Sequence, residues 1–293
     1  MCKKGEKIMK PFIKWAGGKS RLINTHLKYY LPKTFTHYHE PFVGGGAMLA
    51  YLKPDSFVIN DINLKLINVY ETIINGSSAD YEAFLYHLGQ FRKNHSELQY
   101  NNVKSFFNDI DSGFSQPVLA AAFIYLNKTC FNGLYRVNSK GEFNVSMDRS
   151  KKEFVVDWLN FHEWRDDWLT VNSIILGYDF RYFFENVTFL ENDFVFVDPP
   201  YDSEDGKTFT SYDSNKFGTE EQVLLSEYLK DLHSKKVQWM HTNNDTPLIR
   251  ELYKDFTIIP VTTNRSISSK GSTRKNSGKE VIIINYNEFR KET

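Results

Sequence analysis

The run Asp198-Pro199-Pro200-Tyr201 gathers a carboxylate, backbone carbonyls and a phenol ring at one point in the chain. It follows Phe194-Val195-Phe196-Val197, an apolar stretch of the kind that forms a buried strand. Proline cannot donate to a sheet ladder, so the strand must end at Asp198. The polar groups then sit at a strand's C-terminal edge, where open α/β sheets bind their ligands. This set suits methylation of a planar amino group. Such a nitrogen is a poor nucleophile because its lone pair is shared with the ring. A carboxylate oxygen of Asp198 and the carbonyl of Pro199 could accept from its two hydrogens and free the lone pair, while Tyr201 offers a face for stacking. The plainer alternative is a strand–turn boundary with a capping aspartate.

Two glycine segments come earlier. Gly18-Lys19-Ser20 has the ending of a nucleoside-triphosphate loop, but that loop needs a glycine where Ile13 stands. The glycines still let backbone approach a ligand closely. In Glu40-Pro41-Phe42-Val43-Gly44-Gly45-Gly46 a strand can turn into a helix over residues 47–52, with backbone N–H groups facing a nucleotide-like ligand. Asp61 closes the next strand, 57–60, where an acid can bind ribose hydroxyls or cap the helix that follows.

Helical periodicity over 64–74, 81–91 and 118–126, and a Gly/Asn-rich hairpin pattern over 131–145, separate this early part from later strands. Those strands are read at 194–197, 237–240, 256–260 and 281–286. A helix falls at 219–232, with Thr219 as N-cap. Strands alternating with helices give an α/β class with a mostly parallel sheet. The sheet is made from two sequence segments, with a mainly helical domain carrying a β-hairpin inserted between them. The expected boundaries are 1–74 and 174–293 for the core and 75–173 for the insert.

Lysine plus arginine equals aspartate plus glutamate at 36 each, so no global charge draws the chain to nucleic acid and any such pull is local. Cys2 and Cys130 are too few for a disulfide framework or a metal cluster, and Cys130 reads as packing. The lysine-rich start lacks a signal-like apolar core, and no run nears the roughly 20 apolar residues of a membrane span. The expectation is a soluble cytoplasmic protein.

Taken in order, Phe12–Lys19, Glu40–Gly46, Asn60–Asn63, Asn132–Arg136, Gly141–Val145, Asp198–Tyr201 and Arg265–Ser269 resemble the alpha group of N6-adenine DNA methyltransferases, which includes GATC-methylating enzymes. The resemblance runs from about residue 11 to 286. It implies a Rossmann-like sheet dependent on S-adenosylmethionine, with the insert as target-recognition domain. Trp15, Lys19, Glu40, Phe42, Gly44, Asp61, Asp179, Phe180 and Asp198 then belong to the cofactor side. Asp198, Pro199, Pro200 and Tyr201 carry catalysis on an adenine flipped from double-stranded DNA.

On the DNA side the resemblance places Lys14, Phe131, Asn132, Leu134, Arg136 and Ser146. Arg136 is the candidate for a bidentate guanine contact and Leu134 for a thymine methyl. Phe131 would fill the gap at the site. Ser146 stands where the GATC enzymes carry proline, so the sequence read at that position is open. Arg265, Lys270, Arg274 and Lys275 lie in an acid-free stretch, readable as a solvated loop and as a phosphate-binding one. One target per pocket makes a monomer sufficient. The rival readings are an enzyme for another amino acceptor (cytosine N4, RNA or protein glutamine) and an idle DNA-binding protein of the same fold.

Overall fold

The computed structural model describes residues 9–109, 116–203, 217–264, 277–287 and 289. In chain order the elements begin α1 (Ser20–Thr25), β1 (Tyr38–Glu40), α2 (Ala47–Leu52), β2 (Ser56–Asn60), α3 (Leu64–Tyr70), α4 (Ser78–Lys93), α5 (Glu97–Asn108) and α6 (Gln116–Thr129). There follow α7 (Trp158–Trp168), β3 (Asn172–Leu176), α8 (Phe180–Asn186), β4 (Phe194–Val197), α9 (Thr219–Ser234), β5 (Gln238–Asn244), α10 (Pro247–Leu252), β6 (Thr257–Asn264) and β7 (Ser277–Ile284). They group into two compact units, each drawn from separated stretches of chain. The first holds the described parts of 9–18 and 43–180. The second holds those of 19–42 and 181–203 and everything described from 217 onward.

In the first unit β2 and β3 pair in parallel, from Ser56 opposite Asn172 to Asn60 opposite Leu176. Helix α6 is apolar all round, and residues 120–126 are buried on every face, as such a helix must be. It is wrapped by α3, α4 and α5. A capping box starts α4: Ser77 Oγ accepts from the Asp80 amide and the Asp80 carboxylate accepts from the Ser77 amide, both at 3.1 Å.

The continuous helix expected over 64–74 is α-helical only to Tyr70 and then widens into a π-turn, Glu71–Asn75. The Gly76 amide donates to the Glu71 carbonyl at 2.7 Å, and the segment's end is capped from far away in sequence. The buried Arg165 guanidinium donates to the carbonyls of Ile73 and Ile74 at 3.1 and 3.2 Å, satisfying groups that end this segment. Strand β3 is not anticipated by the sequence pattern.

The expected hairpin takes the form of isolated antiparallel bridges, Val137 with Phe143 and Cys130 with Met147, the Asn138 and Asn144 amides donating across it to the Glu142 and Arg136 carbonyls, and side chains fasten its turn. Asn138 Oδ1 accepts from the amides of Lys140 and Glu142, and Asn108 bonds both backbone groups of Phe143.

In the second unit β1, β4 and β5 are parallel neighbours, and β7 lies antiparallel between β5 and β6. The strands are therefore mixed in direction. All four residues of β4 are buried. Its entry is fixed by Asp193, which accepts from the Leu190 and His37 amides and bonds the rings of His37 and His39. Helix α9 packs Leu225, Leu229 and Leu232 inward. Its N-cap is Gly218, not the expected Thr219, because the Glu221 carboxylate reaches back to the Gly218 amide at 2.8 Å.

Candidate active site

Two sets of site residues take shape, one in each unit. In the second unit β4 delivers Asp198 to its C-terminal end. Lys19 Nζ stands 2.8 Å from Asp198 Oδ1, and Thr242 Oγ1 donates to the same oxygen at 2.7 Å. Burial pushes the Asp198 carboxyl pKa up, while the Lys19 charge and the two hydrogen bonds pull it back. The Lys19 ammonium also lies 4.6 Å from the centre of the Tyr201 ring, a cation–π contact. Tyr201 donates to Glu280 Oε2 at 3.4 Å. Burial, followed by the charges of Asp198 and Glu280, raises the phenol far above its ordinary value, so it stays neutral.

Behind these groups is a buried polar lattice. Gln222 Nε2 donates to the Pro200 carbonyl at 2.9 Å, and Asn243 Oδ1 accepts from the Asp202 amide at 2.8 Å. Thr246 donates to the Asp202 carboxylate at 2.6 Å. Asn243 donates to Gln222 Oε1, and its amide also faces His241 Nε2. His241 Nδ1 is 3.2 Å from the Val197 carbonyl, so the network assigns the proton to Nδ1. Burial lowers the His241 pKa to about 4, which keeps the ring neutral. The lattice ties the turn after β4 to α9 and β5. Pro199 is buried within that turn. Glu40 is also in this unit, buried and accepting from Tyr38 Oη at 2.7 Å, and Phe42 meets Phe217 edge to face.

In the first unit the glycine turn runs 43–46. Gly44 has φ +45°, and a Cβ there would stand 2.9 Å from the Trp15 ring. Its amide donates to Asp61 Oδ2 at 3.0 Å, while Asp61 Oδ1 accepts from the Asn63 amide at 2.9 Å. The alternative role for Asp61, capping α3, falls to Asn63 instead. Burial raises the Asp61 pKa against those two amide bonds. Asn60 clamps the turn after β3, bonding both the amide and the carbonyl of Tyr178 at 2.9 Å. That clamp holds Asp179 and the buried Phe180 at the same strand ends as Asp61. Trp15 stacks on Tyr135 and Phe123. A cavity of about 240 Å³ is lined by Trp15, Asp61, Asn63, Lys65, Tyr135 and Asn138, among others. Aromatic walls and an acid fixed by backbone fit the nucleoside part of a ligand.

Lys14, Phe131, Asn132, Leu134, Arg136 and Ser146 share this unit. Asn127 brackets Lys14, accepting from its amide and donating to its carbonyl. Phe131, Asn132, Arg136 and Ser146 are exposed. Asn132 takes φ +56°, and the Phe131 amide donates to the Ser146 carbonyl at 2.9 Å. Arg136 is held in advance by Nε donating to Asn144 Oδ1 at 2.7 Å. Cys130 is buried with its thiol pKa raised to about 11, which leaves it a packing residue. Arg265, Lys270, Arg274 and Lys275 lie outside the described residues.

Sequence reasoning missed Thr242, Glu280, Gln222 and Asn60. A threonine inside a strand carries no signal of its own. Asn60 stood next to the expected acid and was the one member with a usable clue.

No helix among the described residues is long and apolar enough to cross a membrane. The profile of the D12 class N6 adenine-specific DNA methyltransferases matches residues 15–267. A type II methyltransferase of Lactococcus lactis subsp. cremoris, M1.LlaDCHI, is 38% identical over 98% of this chain and 99% of its own length. The type II methyltransferase M.MjaIII of Methanocaldococcus jannaschii is 34% identical, covering 95% and 99% respectively. The DNA adenine methylase of Escherichia coli is 33% identical over 90% of this chain and 91% of its own. The acid at the end of β4 and the fixed acid after β2 thus sit in a mixed α/β fold consistent with Rossmann-like methyltransferases, and the chain belongs to the D12 class N6 adenine-specific DNA methyltransferase family.

Proposed function

We propose that this enzyme moves the methyl group of S-adenosylmethionine to N6 of an adenine flipped from double-stranded DNA, with GATC as target. The observation that carries the catalytic part is Asp198, fixed at the end of β4 by two donors on one oxygen. Its other oxygen can accept from the adenine amino group, with the Pro199 carbonyl as second acceptor and Tyr201 stacking on the base. N6 inside a duplex is out of reach of such an edge, so the base leaves the stack at a cost of a few kcal/mol.

Asp61 fits the ribose, because a carboxylate bound by two amides keeps lone pairs for hydroxyl donors. Trp15, Lys19, Glu40, Phe42, Gly44, Asp179 and Phe180 are assigned to the cofactor with it. The cofactor supplies a methyl group on a positive sulfur, reactive enough that no covalent enzyme intermediate is needed. The protein's work is to position the acceptor nitrogen and polarise it. Residues 75–173 are read as the target-recognition part and 1–74 with 174–293 as the catalytic part. Arg136, held by Asn144, would address guanine, with Leu134, Phe131, Asn132, Lys14 and Ser146 beside it. A monomer suffices.

The test is transfer of labelled methyl from S-adenosylmethionine to duplexes carrying GATC, GATC already N6-methylated on both strands, or a scrambled site. Label entering unmodified GATC alone is the expected outcome. Label in the other duplexes would overturn the sequence assignment, and label in none, with cofactor bound, would move the reading to another amino acceptor.

A further inference from the structure

Asp198 polarises an amino group most strongly when its carboxylate is ionised and turned so that one oxygen faces the acceptor. A carboxylate at a strand end rotates freely unless something holds it. Thr242 lies on β5, one residue beyond His241, which is in register with Val197 of β4. The Thr242 side chain is fully buried, and its hydroxyl donates to Asp198 Oδ1 at 2.7 Å. The Lys19 ammonium meets the same oxygen at 2.8 Å. Two donors converging on one oxygen fix the rotation of the carboxylate plane. Threonine is well suited to this because branching at Cβ stiffens χ1.

We infer that Thr242 is a positioning residue for methyl transfer: it turns Asp198 through Oδ1 and thereby presents Oδ2 to the amino group being methylated. The inference rests on the proposed role of Asp198 as acceptor for N6. The charged and titratable groups facing Asp198 are Lys19, Tyr201 and, from β7, Glu280. Lys19 and Thr242 lower the carboxyl pKa and Glu280 raises it. Removing the hydroxyl therefore moves the ionisation of Asp198 toward higher pH.

The experiment compares wild type, Thr242→Val, Thr242→Ser and Asp198→Ala in methylation of duplex DNA across pH. Thr242→Val keeps the shape and drops the donor. It should lower kcat by roughly 10- to 100-fold, the usual worth of a hydrogen bond to a charged group. KM for DNA and for cofactor should hold. The acid limb of kcat should move to higher pH, and Thr242→Ser should restore both rate and limb. A Thr242→Val enzyme with wild-type rate and an unmoved limb overturns the inference, as does a serine variant no better than valine. Melting temperature and cofactor binding report folding; if valine is not accommodated, Thr242→Ala carries the same comparison. Asp198→Ala separates the two levels. Methylation surviving in that variant sinks the role of Asp198 itself, whereas its loss beside an unaffected Thr242→Val sinks only the role of Thr242.

Discussion

A residue that never meets substrate can still govern the working pH range. His241 is fully buried, with its ring proton on the Val197 carbonyl, and its pKa is lowered to about 4. An unfolded histidine titrates near 6.5. Between those values the unfolded chain binds a proton that the folded one refuses, so stability falls as pH drops from about 6.5 to about 4 and is unaffected above. At 1.36 kcal/mol per unit the full effect is on the order of 3 kcal/mol. Asp61 and Asp198, whose carboxyls are held up by burial, act in the opposite sense at the acid end. Comparison with His241→Gln isolates the histidine. Urea midpoints measured through this window should decline more steeply for wild type than for the variant, and parallel curves would refute the assignment.

At the level of elements, the glycine turn between β1 and α2 tolerates little change. Gly44 adopts φ +45°, and a Cβ would press the Trp15 ring at 2.9 Å. Gly44→Ala is expected to destabilise by about 1–3 kcal/mol, the range for a strained backbone position. It should also disturb the amide that holds Asp61, weakening cofactor binding by about tenfold, the equivalent of one lost hydrogen bond. Calorimetric titration with cofactor and a melting curve check both.

The elements also show how far the sequence could be read. Strands β2 and β4 are legible because compact apolar runs end in an acid. Strand β3 is not, since Asn172-Ser173-Ile174-Ile175-Leu176 opens on two polar residues and leaves Ile174 half exposed. The π-turn after α3 is capped by Arg165, and no local pattern reveals a partner so distant. The meeting of Lys19 with Asp198 is of the same kind. The N-cap of α9 lies one residue before the one the sequence indicates, because Glu221, and not a side chain at the cap, closes it.

For the whole molecule, zero net charge means that DNA attraction must come from local cations against a neutral background. Lys14→Ala should then weaken binding evenly across sequences and reduce the slope of log affinity against log salt by about 1. Arg136→Ala should cost about 1–3 kcal/mol and relax discrimination at one base pair. Fluorescence titrations of GATC and scrambled duplexes at several salt concentrations distinguish the two, and identical behaviour of both variants would refute the division of labour.

The position of β7 between β5 and β6 has a consequence for the life of the protein. Strand β6 is synthesised before the strand that must separate it from β5, and Glu280, the partner of Tyr201, arrives on that late strand. A growing chain that has already emitted the β4 turn still lacks the neighbour that closes β5. Chains cut short before β7 would lack both Glu280 and the strand that separates β5 from β6, and are expected to be inactive.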